Sequence, residues 1–274
     1  MVKRPQSNTL VLIGIVAMVV LPALACGKQA SISPNELTAN DLSGKDFSYR
    51  EIVQLDLSGK IMRNVTFRGS DVINSNFSGA DLRGADLRAR LHYSNFTSAD
   101  LRGADLSDAW MRESNFTGAD LQGARLDRTC IEEKNVWTNA KLDEKWARLV
   151  VVISAGIQPG QDLRAYDLSH ICLPYYNLER VDLRDVNLRE ARILFSNLTG
   201  ANLSHANLQK AQLISINLSD ADLSGADLGE AELEGVNLRG ASITQSQLDK
   251  VVLKCVRMPD GSVKGECFGF PPGP

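Results

Sequence analysis

Residues 94–126 read SNFTSADLRGADLSDAWMRESNFTGADLQGARL, with an apolar residue at every fifth position from Phe96 to Leu126. A period of five fits neither an α-helix, which repeats every 3.6 residues, nor a flat strand, which repeats every two. A longer period encloses the short one, because the motif SNF followed by Ser or Thr begins at residues 75, 94 and 114. Five residues nested in about twenty predict a solenoid with four short straight segments in each turn.

The apolar residues at every fifth position, which we call the register, fall into two blocks. The first block, 40–136, loses a single residue after Leu87 and otherwise keeps the register. The second block, 163–254, holds it for nineteen consecutive apolar residues, from Leu163 to Leu253. A pattern of this length indicates a fold that is repetitive along most of the chain.

Turns of equal length place like residues in columns along a solenoid. Phe77, Phe96 and Phe116 are predicted to stack inside one face. A polar column is predicted outside the same face, formed by Asn76, Asn95 and Asn115. Asparagine side chains can hydrogen-bond along such a stack. We interpret these columns as structural, and a recognition face is the alternative interpretation.

The residues around each large apolar position follow a pattern, as in ADLRG at 80–84. A small residue lies two positions before, Asp or Asn directly before, and Gly two positions after. Tandem A[DN]LxG segments resemble the pentapeptide-repeat family over roughly residues 40–254. The resemblance implies an all-β fold, a right-handed quadrilateral β-helix, and implies little about function because family members have different roles. Because Lys45, Leu55 and Lys60 occupy the small position, we expect an irregular first coil.

The register fails over 137–162, between the two blocks. Asp143 and Glu144 precede apolar residues at helical spacing, so we predict a helix that packs its Trp146 face over an open coil end. A buried strand is the alternative for the β-branched run 149–153, and a partner-docking role is the alternative for the exposed element. The segment 137–146 is similar to linkers that join two blocks in exported family members.

The first 25 residues have the features of a signal peptide, 1–25, because Lys3 and Arg4 precede an apolar run and Ala23-Leu24-Ala25 forms a cleavage signature. The following Cys26 resembles the lipidated cysteine of a bacterial lipoprotein. Ordinary cleavage at the same bond is the alternative. Removing the signal peptide changes the net charge from −3 to −5, which argues against nucleic acid as a partner.

Five cysteines also favour lipidation of Cys26, since that modification leaves an even four in an oxidising compartment. We expect Cys255 to pair with Cys267 because they are close in the chain. Cys130 and Cys172 flank the interruption and can pair only if the second block continues the first. No two Cys or His residues have metal-ligand spacing, and no cofactor is expected.

The ends of the solenoid need caps, since an open coil exposes strand edges. Residues 26–39 form an N-terminal linker or cap, in which Ser33 and Glu36 have the spacing of a capping box. At the other end, 255–274 is predicted to form a small hairpin around the turn at 258–261, followed by an irregular tail at 268–274.

The sequence contains no recognisable catalytic site. The histidines are scattered over different coils, and the repeat itself accounts for the many carboxylates. Five aromatic residues suggest a patch near the interruption, with core packing as the alternative: Tyr93, Trp110, Tyr166, Tyr175 and Tyr176.

The function hypothesis is a non-catalytic, exported rod that is structural or binds a protein partner not named by the sequence. Its predicted location is the periplasm, the thylakoid lumen or a lipid anchor at the cell envelope, with contact to a membrane only through a lipid on Cys26. The family also implies an alternative, a DNA-mimicking protein that binds a topoisomerase. A third hypothesis is an envelope enzyme with its site in the interruption.

Overall fold

The computed structural model describes residues 32, 34–132 and 134–267. Its main element is one parallel sheet of ten short strands, in which each strand pairs with the next in chain order. The strands β1 to β10 are Glu51–Val53, Asp71–Ile73, Arg90–His92, Trp110–Arg112, Cys130–Ile131, Cys172–Pro174, Arg192–Leu194, Gln212–Ile214, Glu232–Glu234 and Val252–Lys254. The fold is therefore a parallel β-solenoid of about ten turns, the predicted class.

Each turn has three further faces besides the face formed by β1–β10, which we call the strand face. Single parallel bridges one turn apart form them, such as Asn76↔Asn95 on the second face, Asp81↔Asp100 on the third and Asp86↔Asp105 on the fourth. The third face lies opposite the strand face. Short straight segments form because the residue at most corners adopts the left-handed conformation that a tight bend needs. Gly or a short polar residue occupies many of these corners, and larger residues such as Arg128 and Tyr175 occupy others.

The predicted columns are present. Phe96 is fully buried and stacks on Phe77 and on Phe116, with ring centroids 4.9 Å apart on both sides. Trp137 extends the stack at 4.5 Å from Phe116. Outside this face the Nδ2 of Asn95 donates to the Oδ1 of Asn76 at 3.0 Å. Both column predictions are confirmed.

The interruption contains α1, Glu144–Ser154, which confirms the helix and shows the strand alternative to be wrong. Trp146, Leu149 and Ile153 are buried, so the helix packs the predicted face inward. The expectation of an open coil end is wrong on the strand face. The sheet continues across the interruption where Cys130 of β5 pairs with Cys172 of β6.

A second backbone contact crosses the interruption at the corner between the fourth face and the strand face, where the N–H of Arg128 donates to the carbonyl of His170 at 2.6 Å. In the described part of the chain, no β-bridge crosses it on the second, third or fourth face. The helix is therefore inserted where those faces part, while the strand face continues. Because the strand face continues, the blocks form one solenoid.

The first coil is regular, contrary to the sequence expectation, since Asp41 and Asp46 form bridges with the second coil. A 3-10 helix, Pro34–Leu37, precedes this coil in the chain. Glu36 forms an ion pair with Arg50, in which Nη1 of Arg50 lies 2.6 Å from Oε2 of Glu36. The capping-box residue Ser33 is outside the described residues. So are the signal peptide, Cys26 and the tail at 268–274.

The C-terminal end holds two small elements. The hairpin pairs β11, Val256–Arg257, with β12, Val263–Lys264, in antiparallel register, as predicted. The helix α2, Gln245–Leu248, was not predicted, although Thr244 and Gln247 form its capping box. Over the described residues, no helix has the length and apolar character needed to cross a membrane.

Candidate interaction surface

The third face is polar, and its charges neutralise one another. The guanidinium of Arg83 donates to both oxygens of Asp81, at 2.8 and 2.7 Å, and its Nε lies 3.5 Å from Asp100 on the next coil. Hydrogen bonds from Arg83 hold the pKa of the Asp81 carboxyl well below its usual range. The same pairing joins Arg184 to Asp182 at 2.6 Å. The acidic columns therefore carry their own counter-charges.

The strand face has a different character. Side chains alternate along a strand, so the residues on either side of buried Ile193 point outward. A second apolar cluster, separate from the solenoid core, lies on this outer side. Its buried members are Cys130, Cys172 and Leu194, and its partly buried members are Trp110, Phe195 and Ile214. We call these six residues the outer cluster.

The outer cluster is centred on a disulfide. Cys130 and Cys172 are bonded, with their Cα atoms 4.5 Å apart on neighbouring strands, and both side chains are buried. This bond became possible because the second block continues the first. The second disulfide joins Cys255 to Cys267 and closes the C-terminal hairpin.

Two aromatic residues at the edge of the strand face lie at corners and share the left-handed backbone conformation of many other corners in this solenoid. Tyr175 and Phe195 occupy successive corners with φ of 64° and 54°, a region that favours Gly or Asn and is strained for bulky residues. Their rings stack with centroids 5.3 Å apart. Tyr175 remains 39% exposed, and partial burial raises the pKa of its hydroxyl to about 12. Each such corner costs on the order of 1 kcal/mol.

The predicted aromatic patch is only partly assembled. Trp110 and Tyr175 both lie on the strand-face side, and the indole of Trp110 donates to Glu132 at 3.0 Å. Tyr176 is buried instead, and its hydroxyl donates to the carbonyl of Ile131 at 2.9 Å. Tyr166 lies near α1, with Arg148 over its ring, and Tyr93 lies with Arg112 over its ring. The register accounts for the difference between the two adjacent tyrosines, because Tyr176 lies at the small position two before Leu178 and Tyr175 at the corner two after Leu173.

A charged groove of about 520 Å³ borders the outer cluster at the corner between the fourth face and the strand face. Arg128 donates to both oxygens of Asp108, at 2.8 and 2.9 Å. The Nη1 of Arg192 lies 3.6 Å from the same carboxylate, and burial lowers the pKa of Arg192. The groove is completed by Glu190, Lys210 and Gln212. Sequence reasoning missed it because its residues are far apart in the chain.

A second cavity, of about 250 Å³, lies between α1 and the residues at 165–167. The Nζ of Lys145 donates to the carbonyl of Ser169 at 2.8 Å and pairs with Asp167 at 3.4 Å, while Arg148 donates to the carbonyl of Ala165. These contacts fasten the helix to the solenoid.

The titratable side chains that acid–base catalysis or metal binding would need are dispersed over the structure. His92, His170 and His205 lie on different coils, and burial lowers the pKa of His92 to about 4. Within residues 32, 34–132 and 134–267, no group of three or more His, Cys, Asp or Glu side chains is arranged to hold a metal ion.

The chain belongs to the pentapeptide repeat family, whose sequence pattern matches in eight copies over residues 61–89, 94–132, 182–219 and 216–254. Solenoids of this family are typically structural or interaction-mediating, and many bind proteins. No curated protein matches the chain.

Three solved structures are similar to this chain. HetL, involved in heterocyst differentiation regulation in the cyanobacterium Nostoc sp. strain PCC 7120, is 28% identical, with 83% of this chain and 94% of HetL covered and a TM-score of 0.34. QnrB1, a plasmid-mediated fluoroquinolone resistance protein, is 16% identical, with 85% and 94% covered and a TM-score of 0.29. A pentapeptide repeat protein of the Arabidopsis thaliana thylakoid lumen is 20% identical, with 86% and 92% covered and a TM-score of 0.18.

Proposed function

We propose that this protein is a non-catalytic, exported rod that binds a protein partner through its strand face. Its proposed location is the periplasm, the thylakoid lumen or the cell envelope, where a lipid on Cys26 would anchor it. The observation that carries the binding role is the stacked pair of Tyr175 and Phe195 beside the outer cluster. Their ring centroids are 5.3 Å apart and Tyr175 is 39% exposed, so the pair presents an aromatic surface of the kind that is enriched where proteins bind one another.

The structure of the other faces supports placing the partner on the strand face. On the second face the Asn column is engaged in hydrogen bonds along the stack, such as Asn197 to Asn177 at 3.1 Å. On the third face the Asp and Arg side chains are engaged with one another. The strand face instead presents apolar groups, and exposed aromatic rings are enriched where proteins bind one another.

The DNA-mimic alternative fits this surface less well. A mimic of DNA needs a row of carboxylates that keep their negative charge unneutralised. Here Arg83 and Arg102 each bind the Asp two residues before them, with a shortest ion-pair distance of 2.7 and 2.6 Å. Their positive charges cancel the acidic column at close range.

Export is supported by the apolar leader and by the two cystine pairs. Disulfides persist in oxidising compartments and are rare in the reducing cytosol. A chain with bonds at Cys130–Cys172 and Cys255–Cys267 therefore suits an extracytoplasmic location.

The binding role is tested with a photo-crosslinking amino acid in intact host cells. With p-benzoylphenylalanine in place of Phe195, we expect a discrete adduct with one other protein. The matched control places it at exposed Ser224 on the third face, where we expect none. The absence of an adduct at 195, or equal adducts at both positions, would contradict a partner on the strand face.

A further inference from the structure

We propose that the Cys255–Cys267 disulfide is a redox switch, which a reduced protein dithiol of the Cys-x-x-Cys type opens while the Cys130–Cys172 disulfide stays oxidised. Opening the bond would free residues 263–267, which we call the C-terminal strap, from the end of the solenoid. The inference does not depend on the proposed binding role, because it concerns the end of the rod and not the outer cluster.

The two disulfides differ in their access to solvent. Cys130 and Cys172 are 1% and 0% exposed, and the partly buried members of the outer cluster pack against them. Cys267 is exposed, whereas its partner Cys255 is buried. Thiol–disulfide exchange requires that a thiolate reach one of the two sulfurs. A protein dithiol can therefore reach the terminal bond in the folded rod, while the central bond is covered.

The exchange is balanced in electrons and protons. One thiolate of the dithiol attacks the Sγ of Cys267, the bond between the two Sγ atoms breaks, and Cys255 leaves as a thiolate that takes a proton from water. The second thiol of the dithiol then attacks the first sulfur of the dithiol in the mixed disulfide, and this releases Cys267. Two electrons and two protons pass to the two cysteines, and the dithiol becomes a disulfide.

The strap has little else to hold it in place. Its strand β12 is two residues long and pairs with β11 at Val256↔Lys264 and Arg257↔Val263. All five residues of the strap are exposed. A two-stranded antiparallel pair of this length is marginally stable by itself. The disulfide at the end of the strap is therefore its main constraint.

The strand β11 is held independently of the disulfide. The N–H of Arg257 donates to the carbonyl of Val236 at 2.8 Å, and the carbonyl of Arg257 accepts from the N–H of Leu238 at 2.8 Å. Val256 and Met258 are buried in the solenoid core. Reduction would therefore free the strap and leave the last coil folded, so the switch has two folded states.

The strap lies over the outer edge of the sheet. β10 is the last of the ten strands, and the N–H of Val252 and the carbonyl of Lys254 bond to the preceding coil. The backbone groups of Leu253 between them face the opposite edge. Gly265 lies against this edge, because a Cβ on Gly265 would collide with the carbonyl oxygen of Leu253. A strand edge needs a cover against pairing with other chains, so the redox state of the terminal bond would govern whether this end is capped.

The first test measures which bond a dithiol reduces in the folded protein. The oxidised protein is incubated with reduced thioredoxin as the probe dithiol, samples are quenched in acid, and free thiols are labelled with N-ethylmaleimide in denaturant. Mass spectrometry then assigns the label to each cysteine. We expect Cys255 and Cys267 to be reduced more than about tenfold faster than Cys130 and Cys172, with an unchanged circular dichroism spectrum. Equal rates for the two pairs, or no reduction of the terminal pair, would overturn the proposal.

The second test measures whether reduction frees the strap. Hydrogen–deuterium exchange at the backbone amides of residues 263–267 should become about tenfold faster on reduction, while exchange at 236–238 stays the same because β11 remains in place. The variant Cys255→Ser/Cys267→Ser should show the fast exchange without any dithiol. In the matched control, Cys130→Ser/Cys172→Ser, fast exchange should still require the dithiol.

Unchanged exchange at residues 263–267 after full reduction of the terminal bond would show that the strap does not depend on the disulfide, and would overturn the switch. Both measurements are made first on the unsubstituted protein, so the proposal is tested even if a variant does not fold.

Discussion

Replacing Phe96 with alanine is expected to lower the free energy of unfolding by about 4 kcal/mol. Phe96 is fully buried and stacks on a ring at 4.9 Å in each neighbouring coil. In a narrow tube the cavity cannot collapse without breaking the hydrogen bonds between coils, so little of the loss is recovered. Urea unfolding followed by circular dichroism measures the effect.

Arg102→Ala in the same coil is the control. Its side chain is half exposed and pairs with Asp100 on the outer side, so we expect a loss below about 1 kcal/mol. If Phe96→Ala were no more destabilising than Arg102→Ala, the aromatic stack would not be a core element.

Removing the central disulfide, by Cys130→Ser/Cys172→Ser, is expected to cost about 4 kcal/mol, because the bond closes a segment with a sequence separation of 42. Cys130↔Cys172 is also the register pair that joins β5 to β6 across the inserted helix. We expect the midpoint of thermal unfolding to fall by roughly 10 °C.

The comparison variant is Cys255→Ser/Cys267→Ser. This bond has a sequence separation of 12 and closes a hairpin at the end of the rod, so we expect a smaller loss, about 3 kcal/mol, with fraying of that end first. An unchanged midpoint of thermal unfolding for Cys130→Ser/Cys172→Ser would mean that the disulfide does not stabilise the solenoid at the inserted helix.

The stacked columns could be predicted from the sequence because a solenoid converts sequence period directly into spatial neighbours. Once the turn is twenty residues, Phe96 must lie between Phe77 and Phe116. The helix at the interruption was also predictable, since the acids at 143–144 and the apolar spacing after them are local signals.

Continuity through the interruption could not be predicted in the same way. Cys130 and Cys172 are 42 residues apart in the chain, which is two turns of twenty residues and two residues more. Whether they pair on neighbouring strands depends on the path of the inserted helix, which the repeat pattern does not define. The missed helix α2 had a local signal, the Thr244 and Gln247 pair, but Leu248 was in register and was therefore assigned to a repeat.

The surface was the least predictable part. The outer cluster and the charged groove join residues from several coils on the outer side, where the repeat does not constrain residue type. The left-handed corners at Tyr175 and Phe195 are an exception, because each residue lies two positions after a large apolar residue, where the repeat commonly has Gly.

Export and the two disulfides are tested together by the non-reducing intact mass of the protein purified from its own host. If the protein is an exported rod, we expect a mature chain that begins at Cys26 and has its four remaining cysteines oxidised into two disulfides. An added diacylglycerol would identify the anchored form, and a bare Cys26 the soluble one. An unprocessed chain with reduced thiols would contradict export.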